Sequence, residues 1–251
     1  MTAPAGTAII DRTLDDMRAI EEKFREFMDK VRDLLDWVPS ALESLVRPVI
    51  DLVNHVNGKF AEYSQAVQHF KDDRGDSDKL KQVGRQWIEE FSHTVDEIAG
   101  TLHLDKLKAN IYWQGRAAET YKAAVPAQIE HLDSMKDLGE QMRDSLDSLA
   151  DGIDSFWLAM KVILGGLAAA IVSAILSAVT VVGLPLALGI ISAAISMAVP
   201  AITGTIVAVE TLLDVIETEQ KSIQAKVDAL GDKWERTNTT TMSHSGDWRV
   251  N

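Results

Sequence analysis

The residue types that most often carry catalysis or hold metal ions are present in this sequence but scattered. No two of its six histidines stand one helical turn apart as a metal-binding pair does; they are His55, His69, His93, His103, His131 and His244. The sequence has no cysteine, which excludes disulfides and thiolate metal sites. It also has no Gly-x-Ser-x-Gly, His-Glu-x-x-His or phosphate-binding glycine motif. Carboxylates on amphipathic helices usually form the solvated face, and no acid–base pair stands out among the many here. We therefore expect a protein that is not an enzyme and has no catalytic residue, metal site or cofactor.

One charged stretch, KDDRGDSD at residues 71–78, has the composition of a calcium-binding loop. An EF-hand loop needs a glycine at its sixth position and a glutamate at its twelfth. Counted from Asp72 or from Asp76, neither residue is in place. We interpret this stretch as a solvated turn between two helices.

The overall charge limits the classes of partner. The 251 residues carry a formal net charge of -13, and 46% of them are hydrophobic. An acidic chain without a basic patch has nothing to displace counterions from phosphates, so we expect no nucleic-acid partner. The charge gives no general attraction to anionic lipids either. The first residues, MTAPAGTAIIDRTLDD, lack a basic segment followed by an apolar one, so we expect no cleaved signal peptide.

Apolar residues recur at alternating three- and four-residue steps through most of the chain, the spacing of one face of a helix. The first such stripe consists of Leu14, Met17, Phe24, Met28, Val31, Leu35 and Val38. No segment shows the alternation of a half-buried strand. The sequence therefore predicts an all-α protein, an elongated multi-helix bundle.

The composition divides this bundle into segments. We expect a flexible N-terminus at residues 1–10 and an amphipathic helical bundle at 11–160, within which residues 75–160 form a helical hairpin. A hydrophobic helical hairpin follows at 161–210, then an amphipathic helix at 211–236 and a polar tail at 237–251. A third helix is expected to end near Ala109, before Trp113.

A run of 48 residues, Val162 to Val209, contains no charged side chain. Gly183 and Pro185 divide it into two stretches, each long enough to cross a bilayer as a helix at 1.5 Å per residue. Small residues recur every four positions and would let helices approach closely in lipid. The residues that define this candidate membrane hairpin are Gly165, Gly166, Ala170, Ala174, Ala178, Gly183, Pro185, Gly189 and Pro200. The alternative is a hairpin enclosed by the amphipathic helices of a soluble bundle, because a helix that is apolar all round must be buried somewhere.

Between two predicted helices stands Trp113-Gln114-Gly115, followed by RAAETYKAAVPAQ. Gly115 can adopt the backbone conformations that reverse a chain, and Trp113 would cover the end of the hairpin so formed. The pattern resembles the WxG family, the helical-hairpin substrates of type VII (ESX) secretion, especially its longer actinobacterial members. The positions that match are Trp113, Gly115, Ala117, Ala118, Tyr121, Pro126 and Gln128.

The resemblance covers about a third of the chain and implies export without a signal peptide. It also implies a four-helix assembly, by self-association, by pairing with a second WxG-type protein, or by pairing with residues 11–70. One family element is missing, the tyrosine followed four residues later by Asp or Glu. The three tyrosines, Tyr63, Tyr112 and Tyr121, have Val67, Arg116 and Val125 at that offset.

Together these features predict a protein secreted by the type VII machinery, with membrane lipid as a partner. The amphipathic bundle with one apolar hairpin also resembles, in architecture only, the helical pore-forming toxins of the hemolysin BL and cytolysin type. We therefore expect the hairpin to be packed inside the soluble bundle and released into a membrane, with oligomerisation. Two alternatives remain open: a non-inserting structural or chaperone-like WxG partner, and a resident membrane protein with two spans.

Overall fold

The structure is a computed structural model that describes residues 5–39, 43–72, 74–108, 112–233 and 249–250. The prediction of an all-α protein is confirmed. The elements in chain order are α1 (Ala5–Asp36), α2 (Glu43–Asp72), α3 (Ser77–Gln86), a π-helical turn (Trp87–Ser92), α4 (His93–Thr101), β1 (Trp113–Gln114), α5 (Arg116–Ser177), a 3₁₀ turn (Val181–Gly183), α6 (Leu184–Lys233) and β2 (Arg249–Val250).

Several boundaries differ from those expected. Helix α1 begins at Ala5 and buries Ile10, so residues 5–10 belong to a helix instead of a flexible terminus. Helix α4 ends at Thr101, eight residues before the expected end. A turn follows it, in which the backbone N–H groups of Lys106 and Leu107 donate to the backbone oxygen of His103. Helices α5 and α6 each run without a break from an amphipathic segment into the uncharged one. The polar tail lies outside the described residues except for Arg249 and Val250.

The chain divides into two compact units. The first contains residues 1–78 and 151–212, and the second contains residues 79–150 and 213–251. Each of the two long helices, α5 and α6, contributes one part to each unit.

The first unit is a four-helix bundle of α1, α2 and the two arms of the uncharged hairpin. One buried cluster contains the apolar stripes of all four helices, including Phe24 of α1, Val56 of α2, Leu164 of α5 and Ile191 of α6. The rings of Phe24 and Phe60 stack with centroids 3.6 Å apart and so join α1 to α2. Of the stripe expected from Leu14 to Val38, Leu14, Met17, Phe24 and Val31 are buried in this core.

The other unit contains a helical hairpin around Gly115. Ser92 packs against Gly139, and Asp96 is hydrogen-bonded to Lys136 at 2.7 Å, so the paired positions lie symmetrically about residues 115–116. This is the arrangement of two antiparallel helices. Among the described residues, one buried cluster between them consists of Val95, Ala99 and Leu132.

Residues from the last part of α6 also belong to this unit. Ser145 donates a hydrogen bond to Glu219 (Oγ–Oε2, 2.6 Å), and Lys226 donates one to Gln141 (Nζ–Oε1, 2.8 Å). The end of α6 is therefore attached to the middle of α5 by polar contacts, and Ile216 and Ile223 of the same part of α6 are buried as well.

Candidate functional site: the two faces of the uncharged hairpin

The hairpin predicted at residues 161–210 is present, with its two arms joined by a tight turn. Thr180 precedes the 3₁₀ turn, and its side chain accepts a hydrogen bond from the backbone N–H of Gly183 (3.2 Å). A side chain at position 183 would collide with the backbone oxygen of Ser177. Gly183 is thus required by the closeness of the chain at this turn, and Pro185 follows as the second residue of α6.

One side of each arm is buried against α1 and α2. We call this the inner face, and it consists of Leu164, Leu167, Ile171 and Ala174 of α5, Ala178 just after α5, and Leu184, Ala187, Leu188, Ile191, Ile195, Ala198 and Ile202 of α6. Apart from the adjacent pair Ala187 and Leu188, its members within each arm are spaced three or four residues apart, as a helix packed along one stripe requires. The inner face is therefore an ordinary bundle core.

The opposite side of each arm is exposed. We call it the outer face; its large members are Val162, Val172 and Leu176 of α5, Val179 in the turn after α5, and Leu186, Met197 and Val207 of α6. Leu176 and Met197 are 71% and 70% exposed. In the most apolar 18-residue stretch of each long helix, only 28% (α5) and 39% (α6) is buried. The expectation that the amphipathic helices enclose the hairpin is therefore wrong for the described residues, because α1 and α2 cover only one side.

The small residues fall on both faces. Ala174 and Ala178 lie on the inner face, and Ala170 is half-buried. Gly165, Gly166 and Gly189 are exposed, and an added Cβ at any of the three would meet no described atom within 4 Å. Pro200 is exposed too, inside α6. Of this row of small residues, Ala174 and Ala178 are therefore buried in the core, whereas Gly165 and Gly166 lie on the exposed side.

Polar groups on the hairpin are few and several are satisfied by their own helix. The hydroxyl groups of Ser173 and Ser177 donate to the backbone oxygens four residues earlier, at 2.9 Å each, and Thr203 does the same at 3.0 Å. These hydroxyls need no water as a partner. Both helices are long and apolar enough to cross a membrane by length and composition, as is also true of many soluble core helices.

Polar contacts fasten the base of the hairpin, where the charged residues resume. The indole Nε1 of Trp157 donates to the backbone oxygen of Arg74 at 2.9 Å, and Arg74 forms an ion pair with Asp11 at 3.8 Å. Ser77 donates to Asp154 at 2.6 Å. Since Asp11 lies near the start of α1 and Arg74 follows α2, these contacts attach both helices to the base of the hairpin.

The turn of the WxG motif brings the rings of two of its seven residues, Trp113 and Tyr121, together. Gly115 has φ of 104°, in the region that only glycine adopts readily, and its backbone oxygen accepts from Glu119 at 3.1 Å. The rings of Trp113 and Tyr121 lie 5.7 Å apart, and Ala118 is fully buried. Ala117 and Gln128 are half-buried, and Pro126 is exposed within an unbroken α5.

The motif also has a contact that the sequence did not suggest. Trp113 and Gln114 form a two-residue strand that pairs antiparallel with Arg249 and Val250, in the register Trp113–Val250 and Gln114–Arg249. No alternation of apolar and polar residues could reveal strands this short.

No group of three or more His, Asp or Glu side chains that could hold a metal ion is found in the ranges that the structure describes. Comparison with protein-family models, with curated proteins and with solved structures gives no significant match.

Proposed function

We propose that this chain is a secreted helical protein that binds and enters membranes through the hairpin at residues 162–209. The observation that carries the proposal is the outer face, which has no charged side chain and is exposed on both arms. A soluble protein seldom leaves a continuous apolar surface of that kind in water unless it contacts a membrane or another protein.

Membrane entry proceeds in two physical steps. The outer face first lies against the bilayer, which requires no rearrangement of the bundle. The hairpin then leaves α1 and α2 and crosses the hydrocarbon core. Moving the inner face from protein to lipid changes its free energy little, since both surroundings are apolar. Moving the outer face from water to lipid is favourable by about 25 cal/mol per Å², so the outer face supplies the driving force.

The second step couples entry to self-association. Once the hairpin has left, the apolar stripe of α1 and α2, with Phe24, Val31 and Val56, loses its cover. The same stripe from other copies is the most similar surface available to bury it. Oligomers with inserted hairpins, and hence a pore, are the outcome that we propose.

The route of export is part of the same proposal. The Trp113-Gln114-Gly115 turn and the antiparallel helices on either side of it are what a WxG-type hairpin needs. We assign export to a type VII system on that basis, with a partner protein supplying the tyrosine-containing signal that this chain lacks.

Dye release from phosphatidylcholine vesicles tests membrane entry. Ala169→Asp and Met197→Asp each place a charge on the exposed outer face, so the soluble fold tolerates both. One aspartate near the centre of a bilayer costs about 2.5–3.5 kcal/mol, and about 1.4 kcal/mol corresponds to a factor of ten. We expect the double variant to release dye at least about 100-fold more slowly than the original protein. Charges at Ala174 would be unsuitable here, because that side chain is fully buried.

The matched control carries Leu158→Asp and Leu213→Asp. These positions are 55% and 48% exposed on the same two helices but lie outside the uncharged run. We expect this control to release dye within about threefold of the original protein, since neither site needs to enter the hydrocarbon core. No release by the original protein, or equal release by all three, would overturn the proposal.

The exposure of Ile98, which is 47% exposed on α4, favours a second candidate function, a non-inserting component that pairs with another helical hairpin. The buried cluster between α4 and α5 consists of Val95, Ala99 and Leu132 among the described residues. Light scattering with and without detergent separates the two functions, because a non-inserting component keeps its mass in both. Insolubility without detergent would instead indicate a resident protein with two membrane spans.

A further inference from the structure

We propose that in water, before any membrane is present, the outer face of the hairpin binds the same face of a second copy of this chain. The resulting dimer is the soluble form of the protein. This inference concerns the aqueous state and does not depend on membrane entry.

The area of the outer face is the first reason. At 1.5 Å per residue, the exposed stripe measures about 21 Å from Val162 to Leu176 on α5 and about 32 Å from Leu186 to Val207 on α6. With helices about 10 Å wide, the two stripes together cover roughly 500 Å². Monomeric proteins rarely expose more than a few hundred Å² of continuous apolar surface. Two such faces buried together give about 1,000 Å², the smallest area expected of a specific interface.

The shape of the face is the second reason. Gly165, Ala169 and Ser173 form a row of short side chains along α5, and the space over Gly165 is open. The larger Val172 and Leu176 stand beside this row. A ridge on one copy can therefore enter the shallow row on the other, as ridges fit grooves between packed helices. A surface that carries both a ridge and its groove is complementary to itself under two-fold symmetry.

Charge and hydrogen bonding are the third reason. The outer face has no charged side chain, so it offers nothing that selects a partner of complementary charge, and two copies of it meet without repulsion inside the contact. The hydroxyl groups of Ser173 and Ser177 already donate to their own helix. Removing these hydroxyls from water leaves no donor unsatisfied.

The consequence is competition between two uses of one surface. In the dimer the outer face is occupied, so a copy must separate from its partner before it can lie on a bilayer. Dilution or an excess of vesicles shifts the population from dimer to membrane-bound chain by mass action.

Cross-linking through single cysteines tests the dimer cleanly, because the chain has no cysteine of its own. The series Val162→Cys, Ala169→Cys, Ser173→Cys and Leu176→Cys samples the outer face of α5. Asp29→Cys, at an exposed ion-pairing position on α1, is the control. In detergent-free buffer we expect disulfide-linked dimers at one or more outer-face positions, with a yield at least tenfold above the control. Light scattering of the original protein should give twice its 27.6 kDa.

The double variant Ala169→Asp, Met197→Asp should be monomeric, since each copy would bury two unpaired charges in the contact. A monomeric mass for the original protein at tens of micromolar would overturn the dimer, as would equal cross-linking at Asp29→Cys. A monomer that carries co-purified lipid would also overturn it. If the protein binds vesicles but forms no dimer, the dimer is contradicted and the proposed function is supported. If it forms the dimer but never binds vesicles, the proposed function is contradicted and the dimer is supported.

Discussion

At the scale of single residues, Tyr63 has a buried hydroxyl group whose hydrogen-bonding capacity is not satisfied by any described residue. Its side chain is fully buried in the four-helix unit, and its hydroxyl has no hydrogen-bond partner among the described residues. An unsatisfied buried hydroxyl costs about 1–3 kcal/mol. The ring itself packs 5.3 Å from Phe60. Tyr63→Phe keeps the ring and removes the hydroxyl, so we expect it to raise the free energy of unfolding by about 1 kcal/mol in urea denaturation.

The same side chain predicts how stability depends on pH. Burial, and to a lesser degree the charge of Glu21, raises the pKa of Tyr63 well above its ordinary value of about 10. At a pH between the ordinary pKa and the raised one, the unfolded chain loses the phenol proton while the folded chain keeps it. Rising pH therefore stabilises the unfolded state relative to the folded state. Stability should therefore fall as pH rises past about 10, with a slope approaching 1.4 kcal/mol per pH unit from this group. In Tyr63→Phe that part of the slope should disappear; identical pH profiles for the two proteins would contradict it.

At the scale of elements, the packing of the π-helical turn (Trp87–Ser92) against α5 depends on a glycine. A side chain at Gly139 would collide with the hydroxyl of Ser92 and touch the ring of Phe91. Gly139→Ala should therefore lower the free energy of unfolding by about 1–2 kcal/mol, despite the better helix propensity of alanine. Gly100 in α4 is the matched control, because an added Cβ there meets nothing within 4 Å. Gly100→Ala should raise stability by about 0.5–1 kcal/mol. A gain at both positions in thermal unfolding would show that the helices do not pack this closely.

The elements were predictable where apolar and charged residues contrast. The stripe from Leu14 to Val31 in α1 and the reversal at Gly115 are both visible in the sequence, because burial repeats at helical spacing and a positive φ requires glycine. Helix ends were less predictable. The loop after Thr101 and the helical start at Ala5 depend on local contacts and packing that no periodicity records.

In the candidate site, too, the sequence does not record the tertiary packing. Leu164 is buried and Leu176 is 71% exposed, yet both are leucines in the uncharged part of one helix. Without charged residues to mark a solvent face, the sequence cannot say which side meets α1 and α2. Only the tertiary packing distinguishes the inner face from the outer one. It therefore decides which residues of the uncharged run are exposed and can bind a membrane or another protein.

For the whole molecule, the balance between charge and apolar surface determines which membranes it meets. The net charge of -13 repels an anionic bilayer, while the uncharged outer face is attracted to any hydrocarbon core. This repulsion acts before contact, over about a Debye length, and salt screens it. The hydrophobic attraction acts only on contact, and salt does not weaken it. The two contributions can therefore be separated by ionic strength.

We expect the protein to bind phosphatidylcholine vesicles about tenfold more tightly than vesicles containing 30% phosphatidylglycerol at roughly 20 mM salt. A factor of ten needs about 1.4 kcal/mol, which the repulsion of one or two carboxylates held near an anionic surface supplies. At about 0.5 M salt the Debye length falls to a few Å, and the difference should shrink below about twofold. Vesicle flotation measures both ratios, and the Ala169→Asp, Met197→Asp variant should bind neither vesicle at either salt concentration. Tighter binding to the anionic vesicles at low salt would mean that a local cationic surface, and not the outer face of the hairpin, makes the first contact with lipid.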